Sequence, residues 1–342
     1  MKALRKTTQT PGELTLCDIP EPSVGNDEVL IRVHAGGLCG TDMHIREGGY
    51  GSHPPVTLGH EIGGEVIAVG PGSTSIVPGD RVTVNPTANG SCGRCRFCHQ
   101  GIFFFCPERR SIGSGIDGGF AEYLAVPAHL AFTLPATIPF EGAAMVEPFA
   151  CCVKAVFKFS HVSPGDIALV CGPGPIGLMC AWLALQAGAR VVVAGTSADG
   201  DRLIHARTLG VAEAVNVEET DVVQLILEMS NGYGADVVLD CGGTRGSVNQ
   251  CLHAAANCGR FIQVALIDHP FEIDWGRIVY KQLRVRGSIA ADWPSWDRAL
   301  TMAREGQVDL SQFITHTHAL EDWETAFAHA EGKIGLKQIL KP

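Results

Sequence analysis

The run Asp166-Ile-Ala-Leu-Val-Cys171-Gly172-Pro173-Gly174-Pro175-Ile176-Gly177 carries the strongest statement about fold in this chain. Its first half is a short apolar segment of strand character, its second half is a Gly-x-Gly-x-x-Gly turn, and an apolar segment from Leu178 to Ala187 follows. Gly188 ends that segment and Ala189-Arg-Val-Val-Val193 starts a second strand. Strand, glycine turn, helix and strand together form a βαβ unit, the context that turns a weak glycine match into a dinucleotide-binding signal. The glycines permit a tight turn and let backbone approach a pyrophosphate at the positive end of the helix. Gly172, Gly174, Pro175, Ile176 and Gly177 are therefore candidate cofactor contacts, and an ordinary glycine-containing strand-to-helix turn is the competing reading. The alternation continues through Ala214–Val217, a helix over Val222–Met229, Asp236–Asp240, a helix over Val248–Ala255 and a strand over Gly259–Leu266. It predicts an α/β fold with a doubly wound parallel sheet. Val264 and Ala265, late in the last strand, join the cofactor candidates.

The tip of the second strand bears on which dinucleotide binds. An NAD site usually places Asp or Glu there, about 20 residues into the motif, to accept from the ribose 2′-hydroxyl, and such a carboxylate repels a 2′-phosphate. This chain has Gly195, Thr196, Ser197 and Ala198 at that point, with Arg202 in reach at the start of the next helix. The reading favours NADP(H) over NAD(H). Asp199 and Asp201 oppose it, because a loop that curls back would give Asp199 the ribose role.

Working outward, 342 residues is length for two domains at about 100–200 residues each. With 46% hydrophobic and 18% charged residues, 41 Gly and 19 Pro, the composition is that of a compact, loop-rich globular protein rather than a disordered chain. The net charge of −10 removes the attraction to phosphate backbones and anionic lipid, so neither nucleic acid nor a membrane surface is an expected partner. The longest apolar stretch, Ile176 to Ala189, is broken by glycines and Gln186 and falls short of the ~20 residues that span a bilayer. The odd count of 13 Cys cannot pair completely, and Met1-Lys-Ala-Leu-Arg5 does not lead into a secretory signal. A reduced, cytoplasmic chain is expected, in which so many cysteines point to metal or redox chemistry.

Cys92-Gly-Arg-Cys95-Arg-Phe-Cys98 is followed after seven residues by Cys106, with Gly90, Gly93 and Gly101 for tight turns. Four thiolates suit a closed tetrahedral zinc shell with no position for substrate, a structural site; an iron–sulfur cluster uses the same ligands, and disulfides do not suit the compartment. Upstream stand Gly37-Leu-Cys39-Gly-Thr41-Asp42-Met-His44 and Gly59-His60-Glu61, and further on Val146-Glu147-Pro148. Thiolate, imidazole and carboxylate form a mixed set that fits zinc with one position left open. Taken singly, Cys39 and His60 read equally well as buried structural residues.

With these motifs in order, the chain resembles the zinc-dependent medium-chain dehydrogenase/reductase superfamily, in its sorbitol and threonine dehydrogenase branch. The resemblance runs from Asp27-Glu-Val-Leu-Ile-Arg-Val33 through Cys39-Gly-Thr-Asp42, Gly59-His-Glu61, Val77-Pro-Gly-Asp-Arg-Val82, the four-Cys segment, Gly118-Gly-Phe-Ala-Glu-Tyr123, Glu147-Pro148 and the glycine motif to Lys281–Ser288. It implies a discontinuous GroES-like catalytic domain of residues 1–150 and 290–342, with a structural zinc lobe at 90–107, around a Rossmann domain of residues 151–289. It makes Cys92, Cys95, Cys98 and Cys106 structural zinc ligands. Cys39, His60 and one of Glu61 or Glu147 become catalytic zinc ligands, two zinc ions per chain in all. Asp42 becomes the partner that orients His60, Thr41 the contact of the reacting hydroxyl and His44 the outlet of its proton.

The implied activity is hydride transfer between a secondary alcohol on a polyol, cyclitol or sugar alcohol and the dinucleotide. L-Threonine 3-dehydrogenase-type oxidation is the alternative, and a non-catalytic dinucleotide-binding protein the distant one. Arg46, Glu47, Tyr50, Phe120, Arg286 and Trp293 are candidates for lining the substrate site. The resemblance also implies a homo-oligomer, tetramer or dimer, with Phe261–Ile267 and Ile278–Tyr280 either at the interface or internal.

Overall fold

The computed structural model describes every residue except 74 and 268, and the chain divides into two compact units, Met1–Ala150 with Ala290–Pro342, and Cys151–Ile289. Among the described residues of the second unit, six parallel strands form one sheet. Their order is Glu213–Asn216, Arg190–Gly195, Ile167–Cys171, Ala235–Asp240, Ala255–Gln263 and Arg284–Gly287. Val191, Val192 and Val193 are all 0% exposed, as expected for a central parallel strand whose two faces are both covered. The helix Val222–Met229 starts where Asp221 accepts hydrogen bonds from the backbone of Val223 and Gln224.

Several boundaries differ from the sequence-based expectation: the helix expected over Val248–Ala255 spans Arg245–Ala254, three residues earlier, and the strands expected over Ala214–Val217 and from Ala189 are Glu213–Asn216 and Arg190–Gly195. The helix after the glycine turn spans Pro175–Gln186, three residues earlier than Leu178, because proline in a first turn loses no intrahelical hydrogen bond and its fixed φ suits that position. The strand expected over Gly259–Leu266 runs from Ala255, directly out of the preceding helix Arg245–Ala254, and stops at Gln263. Beyond Gln263 the N–H groups of Val264 and Ala265 both turn onto the carbonyl of Asp240, at 2.9 and 3.0 Å. Phe261 and Ile262 are internal at 3% and 1% exposure, and Ile278 packs against the same core, whereas Leu266, Ile267, Val279 and Tyr280 are exposed.

In the first unit, a seven-stranded sheet takes its order from both ends of the chain. The strand Lys337–Lys341 lies between Ile314–Ala319, parallel to it, and Glu28–Gly37, antiparallel to it with Ile339 opposite Gly37. Val29, Ile31, Val33 and Ala35 alternate inward along Glu28–Gly37, the period of two that a half-buried strand requires. The neighbouring strand Glu61–Val69 pairs with it so that Gly37 faces Glu61. The residues just beyond this shared end, Leu38-Cys39 on one strand and Gly59-His60 on the other, are thereby held side by side. Among the described residues no helix is long and apolar enough to cross a membrane.

Two glycines of the turn have different physical duties. A Cβ on Gly177 would stand 1.9 Å from the Gly172 carbonyl oxygen, whereas one on Gly174 would meet nothing within 4 Å. Gly177→Ala should therefore cost about 1–3 kcal/mol of stability in urea titrations, the scale of an overpacked core, and Gly174→Ala should leave the midpoint within experimental scatter.

Candidate functional site

The centre of the first unit's site is a buried carboxylate. The helix Gly40–Arg46 follows the strand Glu28–Gly37, and Cys39 is its N-cap. Asp42, 0% exposed, accepts the Cys39 N–H on Oδ2 at 2.9 Å and the Gly59 N–H on Oδ1 at 3.3 Å, while His60 Nδ1 lies 3.5 Å from the same Oδ1. Ligand atoms of Cys39, His60 and Glu61 lie within 4.8 Å of one another. Burial disfavours the His60 imidazolium, but the charges of Asp42 and Cys39 outweigh it and raise the His60 pKa well above the ordinary value. A soft thiolate, an imidazole and a carboxylate that together favour a positive charge at their focus match the donor chemistry of zinc. Thr41 Oγ1 is 3.7 Å from Cys39 Sγ, and His44 follows three residues later on the same face of the helix.

Glu61 has a partner that sequence reading missed. Lys337, from the last strand, donates to both Glu61 oxygens at 2.6 and 2.7 Å and to the Leu38 carbonyl at 3.0 Å. Burial would deprotonate this lysine, yet the charges of Glu61, Cys39 and Glu147 raise its pKa, so it remains an ammonium. Gly37 makes room for the pair, since a Cβ there would sit 2.0 Å from Glu61 Oε2. Glu147, 7% exposed on the helix Val146–Val153, is not one of the three converged residues. Of the expected lining residues, Phe120 is instead a core side chain, 0% exposed and packed with Leu4, Leu58 and Phe327. Arg46 is taken up by Glu47 and Glu331 and lies over the Phe327 ring.

Ligand atoms of Cys92, Cys95, Cys98 and Cys106 also lie within 4.8 Å of one another. The Cys95–Cys98 and Cys92–Cys98 sulfur separations are 3.5 and 3.9 Å, close to the ~3.8 Å edge of a tetrahedron with ~2.3 Å zinc–sulfur bonds. Backbone N–H groups of Cys92 and Cys98 point at the sulfurs of Cys106 and Cys95, both at 3.4 Å. The Cys92 N–H brings the Cys106 thiol down to about 7, while burial and Cys95 push Cys98 up to about 12. Deprotonated together, four sulfurs this close would need a cation among them, the donor set of a structural zinc. None of the thirteen cysteines is in a disulfide.

In the second unit Gly172 turns with φ +96° and Gly174 leaves open space at the start of the helix Pro175–Gln186, whose first turn has neither a side-chain cap nor an acidic residue. Uncapped N–H groups at such a helix start suit an anion such as a pyrophosphate. At the tip of the next strand, Thr196 donates its N–H and hydroxyl to Asp199 at 3.0 and 2.9 Å. Arg202, expected to reach outward, is 8% exposed and has its Nη1 3.8 Å from Asp199 Oδ1. Ser197 donates its N–H, at 3.1 Å, and its hydroxyl to Glu218, a residue sequence reading passed over.

A metal-binding unit joined to a dinucleotide-binding unit defines a zinc-dependent oxidoreductase, and comparison with known proteins agrees. Residues 25–136 match the alcohol dehydrogenase GroES-like domain and residues 175–305 the zinc-binding dehydrogenase domain. Sorbitol dehydrogenase of Halalkalibacterium halodurans is 36% identical over 343 residues, spanning 100% of this chain and 99% of the relative. L-Threonine 3-dehydrogenase of Streptomyces avermitilis is 36% identical over 344 residues, 99% of each chain. The crystal structure of a zinc-binding dehydrogenase from Sinorhizobium meliloti 1021 bound to NADP has a TM-score of 0.91 at 32% identity, covering 100% of this chain and 99% of the other. The chain belongs to the zinc-binding dehydrogenases of the medium-chain superfamily, in the branch that includes sorbitol and threonine dehydrogenases. It is an NAD(P)-dependent alcohol dehydrogenase by family, which sets aside a non-catalytic role.

The buried Glu61–Lys337 pair makes a stability prediction. With metal chelated, Lys337→Met leaves a buried carboxylate without its cation and should cost about 3–5 kcal/mol in chemical denaturation. Adding Glu61→Gln should restore most of the loss; a double variant no more stable than Lys337→Met would show that the pair is not the cause.

Proposed function

We propose that this enzyme oxidises a secondary alcohol of a polar molecule, a polyol, cyclitol or sugar alcohol, at a zinc held by Cys39, His60 and a carboxylate from Glu61 or Glu147. The observation that carries this is the convergence of Cys39, His60 and Glu61 around the buried Asp42. When bound, zinc supplies Lewis acidity that lowers the pKa of a hydroxyl. Thr41 accepts the hydrogen bond of the reacting hydroxyl and releases its own proton as it takes that one, and the proton passed on by way of the cofactor ribose would leave to solvent through His44, whose imidazole suits proton transfer near neutral pH. The dinucleotide, when bound, would supply the hydride acceptor through which the carbinol becomes a ketone. Cys92, Cys95, Cys98 and Cys106 hold a second, structural zinc.

The glycine turn Gly172–Gly177 seats the pyrophosphate, Val264 and Ala265 lie beside the dinucleotide, and Gly195, Thr196 and Ser197 receive the adenosine ribose with a preference for NADP(H). The lack of a carboxylate in the strand tip itself and the NADP-bound relative support that preference; the inward turn of Arg202 removes it from the phosphate contacts. The odd number of cysteines supports a cytoplasmic location. The exposed Trp275, Val279, Tyr280 and Val285 beside the edge strand Arg284–Gly287 support a homo-oligomer, dimer or tetramer.

Metal analysis should give about two zinc per chain, falling to about one in Cys39→Ser. The same variant should lose about 10³-fold or more in kcat, the order of four kcal/mol of transition-state stabilisation, while still binding dinucleotide. Retained turnover would refute the site. Initial rates on sorbitol, other polyols, cyclitols and L-threonine should be highest with a polyol or cyclitol, and highest activity on L-threonine would replace that substrate class.

A further inference from the structure

The loop after the strand Arg190–Gly195 contains an anion seat that the chain fills with a carboxylate of its own. Gly195 is paired with Asn216 across the parallel ladder, so the residues that follow each strand emerge side by side at the same edge of the sheet. The Ser197 N–H and hydroxyl both donate to one oxygen, Glu218 Oε2. Asn216 Nδ2 donates to Ser197 Oγ at 3.0 Å, and the Glu218 N–H donates to Asn216 Oδ1 at 3.1 Å. The hydroxyl is thus oriented, the backbone N–H is aimed alongside it, and the turn carrying Glu218 is tied down. A terminal phosphate oxygen would use the same two donors.

The two carboxylates of this loop are not equivalent. Asp199 is 4% exposed and committed to Thr196 and Arg202, so it cannot leave. Glu218 is exposed, and its hydrogen bonds from Ser197 hold its carboxyl below the usual range, so it is charged at neutral pH. We propose that Glu218 sets the discrimination between NAD and NADP, by occupying the Ser197 seat that a 2′-phosphate must take. This rests on the reading that the strand tip receives the adenosine ribose. A neutral 2′-hydroxyl can donate to Glu218 where it stands. A 2′-phosphate must displace it and then sit beside its negative charge. The residue that tunes the cofactor therefore comes from the turn after the neighbouring strand Glu213–Asn216, not from the strand tip where such acids are usually sought.

The test uses adenosine fragments, which report on this loop without turnover. Calorimetric titration of the full-length wild type and of Glu218→Gln with adenosine 2′,5′-bisphosphate and with 5′-AMP gives a selectivity ratio for the 2′-phosphate. Glu218→Gln should raise that ratio about fivefold, the scale of one like charge removed about 4 Å away in water, and the gain should shrink at high salt. Ser197→Ala in the Glu218→Gln background should remove most of the gain. The ratio of kcat/KM for NADP⁺ over NAD⁺ should move in the same direction. A selectivity ratio that is unchanged or falls in Glu218→Gln overturns the proposal. A wild type that prefers 5′-AMP and NAD⁺ would defeat the NADP(H) preference alone, and a rise on Glu218→Gln would still uphold the role of Glu218.

Discussion

Asp42 is the side chain on which the first unit's chemistry depends. Its carboxylate is fully buried and accepts from the Cys39 N–H on one oxygen and from the Gly59 N–H on the other, with His60 Nδ1 close to the second. Buried charge is tolerated only when it is hydrogen-bonded and balanced, so this arrangement has few alternatives. The start of a helix and the approach to a strand are tied to the same two oxygens, which fixes the thiol of Cys39 beside the imidazole of His60 before any metal binds. Glu61 is fixed in the same way by Lys337. Its second role is electrostatic: the ammonium offsets one of the negative charges that converge there and moderates how much positive charge the focus demands.

The second unit is governed by backbone rather than by charge. Gly177 lets the helix approach the Gly172 carbonyl, Gly174 leaves its Cβ direction empty, and Asp240 gathers the ends of two strands by accepting from Gly242 and Gly243 at 3.4 and 3.1 Å and from Gln263 Nε2 at 2.6 Å. The cofactor's phosphates need no strong local cation under this arrangement, which agrees with a chain of net charge −10. The carboxylates at this sheet edge lie in the two neighbouring loops, where Asp199 is buried against Thr196 and Arg202 and Glu218 is exposed against Ser197.

What was legible in the sequence was what is encoded over short distances. The glycine turn, the valine-rich strands, the helix Val222–Met229 and the four-cysteine spacing each declare themselves within a dozen or so residues, and the structure places them as such. Cys39 and His60 could be paired because each sits in a recognisable motif, although either alone reads as a core residue. What was hidden depends on pairing across the sheets. Lys337 lies 276 residues from Glu61 and meets it only because the last strand inserts beside Glu28–Gly37. Glu218 reaches Ser197 only through the ladder that sets Asn216 against Gly195. Phe120, in a Gly-Gly-Phe stretch, looks like a site residue, but it fills the space that Gly36 and Gly59 leave open. Arg202 follows a strand tip and looks outward in sequence, yet its first use is to neutralise Asp199.

The central claim is that Cys39 and His60 hold a metal ion separate from the one in the cysteine lobe. Diffraction from crystals of the wild-type enzyme at the zinc absorption edge tests it directly. Two anomalous peaks per chain are expected, one among Cys92, Cys95, Cys98 and Cys106, and one about 2.3 Å from Cys39 Sγ and about 2.1 Å from a His60 ring nitrogen. A single peak confined to the four-cysteine lobe, in crystals of enzyme that turns over, would contradict it.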